Sequence, residues 1–337
     1  MKHNVIGMDI AKNVFQLHTV NLETGEIERI KLRRNEVLPF FAQRVPALVA
    51  IEACGSAHEW GRRLIALGHQ VRLLAPKSVR PFVLRNKTDA ADAQAIWTAA
   101  QQPGAKFVAI KTEQQQAVLA LHRLRSQLMK FRIMQTNAIR GLLYEFGIVL
   151  PPGYPAMIKA WPQALAELSG RLPAMLVESL REQWARARAI DGEIAAIERR
   201  LADAMATDEK YKRLLDIPGV GLLTATATVA TVGDMASFKS GREFSAWLGL
   251  VPRQSGTGGR VRQMGISKRG DVYLRMLLMH GARAIIARRS RSEWVESLLR
   301  RRPYNVAVAA LANKLARTIW AVLFYGRGYE PQTQAAV

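Results

Sequence analysis

The chain opens on short apolar runs separated by turn residues. VIGMDI at 5–10 and VFQLHTV at 14–20 come first, and after the turn NLETGE the segment IERIKL at 27–32 alternates as a half-exposed strand does. Three strands in meander order are the economical reading. EVLPFFAQR then has a helical pattern, ALVAIEAC reads as a buried strand, and a helix from Ala57 to Leu67 is closed by Gly68. HQVRLLAP returns as a strand, and a further helix passes through NKTDAADAQAIW. This succession predicts a mixed sheet with helices on its faces.

From Glu113 to about Ala206 the strand signal disappears. Val118, Leu121, Leu124, Leu128, Phe131 and Met134 fall three or four apart, on one stripe of a long helix. PPGYP at 151–155 breaks the pattern and WARARAIDGEIAAIERRL at 184–201 resumes it. Two or more long helices folded back on each other are expected, either as a hairpin within the chain or as a coiled coil that also pairs subunits. After Thr207, IPGVGLLTA at 217–225 resembles a helix-hairpin-helix turn. In such a turn backbone N–H groups at a helix start face a phosphate, and Gly219 and Gly221 would allow close approach. Helices are predicted over Tyr273 to Arg289 and Val306 to Tyr325.

Charge changes the picture. The 337 residues hold 49 Lys and Arg against 27 Asp and Glu, a formal charge of +22. Such an excess does not choose a fold, but it attracts polyanions, nucleic acid ahead of an acidic membrane surface. Between Arg253 and Arg302 stand 13 Lys or Arg against Asp271, Glu293 and Glu296, which marks this segment as a polyanion face. The single cysteine, Cys54, excludes an intrachain disulfide framework and a cysteine-built zinc site, and a reducing interior is expected. The N-terminus reads as a strand rather than a leader, and no apolar run approaches the roughly 18 residues of a membrane span, so a soluble intracellular protein is expected.

Against this background four acids stand out. Asp9 lies in the C-terminal part of the first strand and Glu52 ends the strand VAIE, while Asp89 and Asp92 share a helical face, three residues turning a helix by about 300°. Acids at neighbouring strand ends can converge on one sheet edge. Gathered carboxylates repel and need a cation, and an all-oxygen set suits Mg²⁺ or Mn²⁺ rather than zinc. Two such ions about 4 Å apart can stabilise the attacking and leaving oxygens of a phosphodiester. Plainer roles exist for each acid alone. Asp89, three residues after Asn86, suits a helix-start charge worth about 0.3–1 kcal/mol, and Glu52 could pair with Arg62. Asp9 and Glu52, at the ends of apolar strands, are costly to place without a partner.

GMDIAKNVFQ, AIEACGSAHEW and RNKTDAADAQAIW, followed by IPGVG, WLGLVPRQSGTGG and GISKRGDVYLR, resemble the IS110-type insertion-sequence transposases, more closely their IS1111-like branch. The resemblance covers most of the chain, in order. It implies an α/β RNase H-like (RuvC-like) domain over residues 1–112, whose DEDD set would be Asp9, Glu52, Asp89 and Asp92. A helical coiled-coil insert would follow over 113–206, and a mainly α-helical C-terminal transposase domain over 207–330 would supply a nucleophilic serine. It further implies a DNA recombinase acting on donor and target DNA, directed by a structured non-coding bridge RNA, and assembled as a dimer to tetramer in which domains of different subunits complete one active site. Such a protein would work in a bacterial cytoplasm at the nucleoid.

The serine implied by this resemblance lies in SGTGG at 255–259, between Arg253 and Arg260. A hydroxyl attacking phosphorus would form a phosphoserine link that saves the energy of the broken bond for rejoining. Glycines give room for the backbone, and the arginines can neutralise charge growing on the phosphate. The segment departs from the family pattern, in which more hydroxyl residues follow PRQ, so either Ser255 or Thr257 is the match. Ser255 is preferred as the primary alcohol. No sequence-adjacent histidine offers itself as a base. Without the resemblance, SGTGG reads as a flexible surface loop.

Lys87, Arg253, Arg260, Arg262, Lys268 and Arg269 are candidate phosphate contacts, and each could equally be a solvated charge. Trp247 and Trp294 could stack on bases or belong to the core. Cys54 is expected as a small buried hydrophobe, and His18, His58 and His280 form no metal-ligand spacing. A metal-dependent nuclease or junction resolvase needs the same acids without a covalent step. A non-catalytic scaffold explains the charge but not the positions of Asp9 and Glu52.

Overall fold

The computed structural model describes residues 5–21, 23–83, 88–258, 260–288 and 291–330. The chain forms two compact units, Met1–Gln114 and Gln115–Val337. In the first, β1 (Val5–Ile10), β2 (Val14–Val20), β3 (Ile27–Arg33), β4 (Leu48–Glu52), β5 (Gln70–Leu74) and β6 (Phe107–Val108) form one sheet in the order β3-β2-β1-β4-β5-β6. Strands β1, β4 and β5 run parallel, β2 runs antiparallel to both β1 and β3, and β6 runs antiparallel to β5. The helices of this unit are α1 (Val37–Ala42), α2 (Ala57–Ala66), the short α3 (Pro76–Val79) and α4 (Asp89–Ala100). The first two strands begin and end where the sequence pattern put them. The two-residue β6 and the single-turn α3 are too short to leave a periodic signal.

Strand alternation sorts the side chains onto two faces. Ile6, Met8, Phe15, Leu17, Val49 and Ile51 pack with Trp60 and Leu64 of α2 on one face. On the other, Ala50 and Leu74 pack against Ala95, Ile96, Ala99 and Ala100 of α4. This second contact is unusually close. A Cβ added to Gly7 would lie 2.4 Å from the Ala93 carbonyl oxygen and 2.7 Å from Trp97 Cβ, so only glycine lets α4 lie this near β1. The Trp97 indole N–H donates to the Val5 carbonyl at 3.1 Å, and Thr19 Oγ1 donates to the same oxygen at 3.0 Å.

The second unit is largely helical. Its elements are α5 (Glu113–Glu145), α6 (Tyr154–Arg171), α7 (Ala174–Met205), α8 (Glu209–Leu215), α9 (Leu222–Val232), α10 (Gly241–Trp247), β7 (Pro252–Thr257), β8 (Arg260–Ile266), α11 (Val272–Ile286), α12 (Glu293–Arg301) and α13 (Tyr304–Tyr325). Helices α5 and α7 run antiparallel within the chain. Arg125 bonds Glu198 at 2.7 Å, Arg132 bonds Asp191, and Gln135 bonds Gln183. Of the stripe read from the sequence, Val118 is buried and Leu121 and Leu128 are partly buried, but Leu124, Phe131 and Met134 are exposed.

Two corrections to the sequence expectations arise here. Helix α13 is long and apolar enough to cross a membrane, contrary to the expectation that no such run exists. Its buried side, Val308, Leu311, Leu315 and Ile319, is part of the core of this unit, where α10 and α11 pack on it. The SGTGG segment is not a loop: Ser255, Gly256 and Thr257 belong to β7, paired with β8 in a two-stranded ribbon.

Replacing Gly7 by Ala should force α4 off the sheet and destabilise the first unit by about 1–3 kcal/mol, the usual range for overpacking. Scanning calorimetry should show its transition several degrees lower, and an unchanged transition would mean that α4 does not depend on this contact.

Candidate active site

Asp9 and Glu52 are brought together by the register of two parallel strands. Gly7 lies beside Ala50 and Met8 beside Ile51, so Asp9 and Glu52, two residues on from Gly7 and Ala50, lie side by side at the C-terminal ends of β1 and β4. Both share the α4 face, because Gly7 and Ala50 do. Above them α4 begins. Thr88 caps it by accepting a hydrogen bond from the Ala91 N–H at 3.3 Å, and Asp89 and Asp92 occupy its first turn. Asp89, Ala93 and Trp97 follow one another at four-residue intervals on the stripe that meets Gly7. Asn86 and Lys87 lie outside the described residues.

The charges register this convergence. The Asp9 carboxyl is pushed up to about 6, first by burial and then by the charges of Asp92, Asp89 and Glu52, with the Ile10 backbone hydrogen bond opposing. Among the described residues no three acidic, histidine or cysteine side chains are drawn closely enough together to clasp an ion. Strand register and the position of α4 set these acids at one end of the sheet, where burial is the larger cause of the raised Asp9 carboxyl and the neighbouring charges the smaller. A partly buried all-oxygen set whose central member resists ionisation is what a hard divalent cation relieves. Arg62 bonds Glu59 at 2.7 Å and the Lys111 carbonyl at 2.7 Å. Cys54 is exposed rather than buried, contrary to the sequence expectation, because the chain turns outward after Glu52. Its thiol is pushed up by the protein packed around it and then by Glu52 and Asp9.

In the second unit, β7 and β8 pair Ser255 with Arg262 and Thr257 with Arg260. Cross-strand partners and alternate residues share a face, so Ser255, Thr257, Arg260 and Arg262 all point the same way, and all four are exposed. The irregularity between Pro252 and Gln254 takes Arg253 out of this alternation. Arg253 lines a groove of about 550 Å³ at the ribbon base together with Gln254, Gln263 and Arg269. Lys268 is exposed, with φ +55°.

The ribbon base is tightly fixed. A Cβ on Gly270 would lie 1.7 Å from the Trp247 carbonyl oxygen, and one on Gly249 would lie 2.2 Å from the Arg269 carbonyl oxygen. Both glycines have positive φ. Arg275 is buried beneath them, its Nη1 donating to the Leu248 carbonyl at 2.8 Å and the Arg269 carbonyl at 2.9 Å. In the sequence it counted only as one of the 13 basic residues. Its spacing with Leu278 and Ala282, on the buried stripe of α11, was the available signal.

The IPGVG turn joins α8 to α9 as expected, but its glycines differ in role. The space beside Gly219 is filled by the Gly281 carbonyl and Ile285, and its φ is +83°, so no side chain fits there. Gly221, at the start of α9, faces open space and gives no side-chain cap. Behind the turn, His122 is buried between Tyr273 and Thr226, 2.9 Å from each hydroxyl. Trp247 packs in an aromatic cluster with Phe238 and Phe244 rather than presenting a free face, whereas Trp294 is exposed with the Lys314 ammonium 4.7 Å from its ring centre.

Comparison with known proteins agrees in both units. A transposase family model of the IS110 DEDD type matches residues 6–148, and the model described as "Transposase IS116/IS110/IS902 family" matches residues 211–298. The chain is 46% identical to a "Probable family 20 transposase" of Pseudomonas aeruginosa, over 97% of this chain and 98% of that one. It is 42% identical to the "Transposase for insertion sequence element IS1328" of Yersinia enterocolitica, over 96% and 97%. With the "Transposase for insertion sequence element IS1111A" of Coxiella burnetii it shares 39% identity, over 95% and 89%.

The raised Asp9 carboxyl has a pH signature. The folded chain keeps this proton where the unfolded chain, near the ordinary value of 3.8, has lost it, so the associated stability is present below about pH 4 and is lost as pH rises through about 6. In the presence of a chelator, Asp9→Asn should therefore melt higher than the parent at pH 7.5, and the gap should close on acidification through 6. A gap that does not vary with pH would show that Asp9 carries no such penalty.

Proposed function

The chain belongs to the IS110 family of insertion-sequence DNA transposases, and from that premise we propose that it cuts and rejoins donor and target DNA through Ser255, at a site completed by Asp9, Glu52, Asp89 and Asp92. The observation that carries this is the shared face of Asp9 and Glu52 under the first turn of α4, with the raised Asp9 carboxyl as its electrostatic consequence. Mg²⁺ or Mn²⁺ held by these four acids would offset the negative charge that builds on a phosphate under attack. The first unit, a mixed sheet with helices on both faces, is taken as RuvC-like.

Ser255 Oγ forms a bond to phosphorus while one bridging P–O bond breaks. The freed DNA end leaves as a hydroxyl carrying the proton that the serine gives up, and reversal with a different end rejoins the strand. Arg262, paired across the ribbon with Ser255, and Arg260 stand on the same face, where they can neutralise the phosphate oxygens. Gly258 has φ +57° and open space beside it, which leaves the tip narrow enough to approach a DNA backbone. Arg253, Lys268, Arg269 and the open Gly221 turn are taken as further backbone contacts, with Lys87 beyond the described residues.

The acids and the serine lie in different units, and we take them to meet between copies of the chain. Leu124, Phe131, Met134 and Leu142 are exposed along α5, an apolar stripe suited to pairing in a dimer or tetramer. Target choice is assigned to a structured guide RNA bound by the basic surface, and the work to the cytoplasm, at the nucleoid.

Asp9→Ala should lower recombination by about a hundred- to a thousandfold, the usual loss on removing one electrostatic stabiliser, and Ser255→Ala should abolish it, while nucleic-acid binding persists. A denaturant-stable protein–DNA adduct should form with the parent and not with Ser255→Ala. An adduct lost only in Thr257→Ala would move the nucleophile there, and cleavage without any adduct would favour a metal-dependent nuclease.

A further inference from the structure

The first unit carries a second charged feature, at the same end of the sheet as the acids. A groove of about 550 Å³ is lined by Asn13, Arg33, Arg34, Asn35, Trp60 and Arg63. The β1–β2 turn and the end of β3 build it: Val14 pairs with Arg33, and the Arg34 N–H donates to the Asn13 carbonyl at 3.0 Å. Phe15 and Trp60 place it on the face opposite α4.

Three guanidiniums gather there with little acid to balance them. Among the described residues Arg33 and Arg34 form no ion pair, and the Glu36 carboxylate accepts the Arg33 backbone N–H at 2.7 Å. Arg63 approaches Glu59 only at 3.5 Å, and Glu59 is shared with Arg62. Arg34 and Arg63 lie over the Trp60 ring, 5.3 and 5.5 Å from its centre. The Trp60 side chain that backs the groove is almost wholly buried, and its indole N–H has no acceptor among the described residues.

We propose that this groove binds a phosphate of the DNA strand that crosses the carboxylates, a few nucleotides from the reacting one. This rests on the acids being the reaction site, as argued above. Asn13 lies four positions after Asp9 in the chain, a reach of at most about 14 Å. Four carboxylates repel the very backbone they must receive. A fork-shaped cationic pocket nearby anchors the strand without pairing with those carboxylates.

The test is binding by the full-length protein with Arg33 and Arg63 both changed to Gln, leaving Arg34, which also bonds the Lys12 carbonyl. Labelled single-stranded DNA and an RNA of the same sequence are titrated over a series of salt concentrations. For DNA the slope of log affinity against log salt should fall by about 0.7, the single-strand value for one phosphate no longer neutralised, with affinity down about tenfold. The pH-dependence of melting set by Asp9 should be retained, showing that the fold is intact. Arg33→Gln alone, at an exposed site, gives about half the effect and is the recourse if the double variant does not fold. Weaker binding of both nucleic acids supports a phosphate site open to either strand. Weaker binding of RNA alone, or an unchanged slope on both, overturns the proposal. Binding is read without cleavage, so a reduced slope together with failure of the Ser255 adduct would leave the groove standing and overturn only the recombinase assignment.

Discussion

Mutual repulsion of carboxylates in a half-buried setting is the constraint on which the first unit turns. Left to themselves such groups would separate or take up protons, and the packing lets them do neither freely. Parallel register fixes Asp9 beside Glu52, and the missing side chain of Gly7 lets α4 come down until its first turn stands over them. The helix contributes on its own account, since its N-terminal dipole favours the negative charge of Asp89 and Asp92 there. Asp9, partly buried, carries the cost as a carboxyl raised to about 6, by burial first and by the neighbouring charges second. That residual strain is what a divalent ion would relieve.

The second unit meets a different demand, the display of a polar ribbon that no core can hold. Both strands of the ribbon are edges, and every residue of β7 is exposed. Its geometry therefore comes from its base, where Gly249 and Gly270 pass backbone against backbone and Arg275 ties two carbonyls from below. The Phe238, Phe244 and Trp247 cluster packs next to that base. A fixed root and an open tip are what a hydroxyl needs if it is to meet a phosphate carried by another molecule.

Positive charge is also divided between structure and surface. Arg125, Arg132 and Arg275 are held by partners within the second unit. Arg33, Arg253, Arg260, Arg262 and Arg269 are exposed, and they gather at the carboxylate end of one unit and on the ribbon of the other. The formal excess of +22 thus understates the patterning: basic groups cluster where a backbone would lie, beside acids that are few and grouped.

Much of this was legible in one dimension. Short apolar runs between turn residues marked β1 and β2, alternation marked β3, the loss of strand signals after Glu113 marked the helical region, and an aspartate pair at three-residue spacing announced its helical face. Periodicity is a local property, so it could report these elements. It failed for β7, whose Arg, Gln, Ser and Gly carry no hydrophobic contrast, and for Cys54, whose exposure follows from the turn after Glu52. The sequence by itself determined which residue types were available and the local elements that bear them. Only the tertiary structure decided that Gly7 lets α4 close on β1, that Gly219 packs against α11, and that Arg33 and Arg63 share a groove over Trp60, because close approach between segments far apart in the chain follows from packing, which no local pattern records.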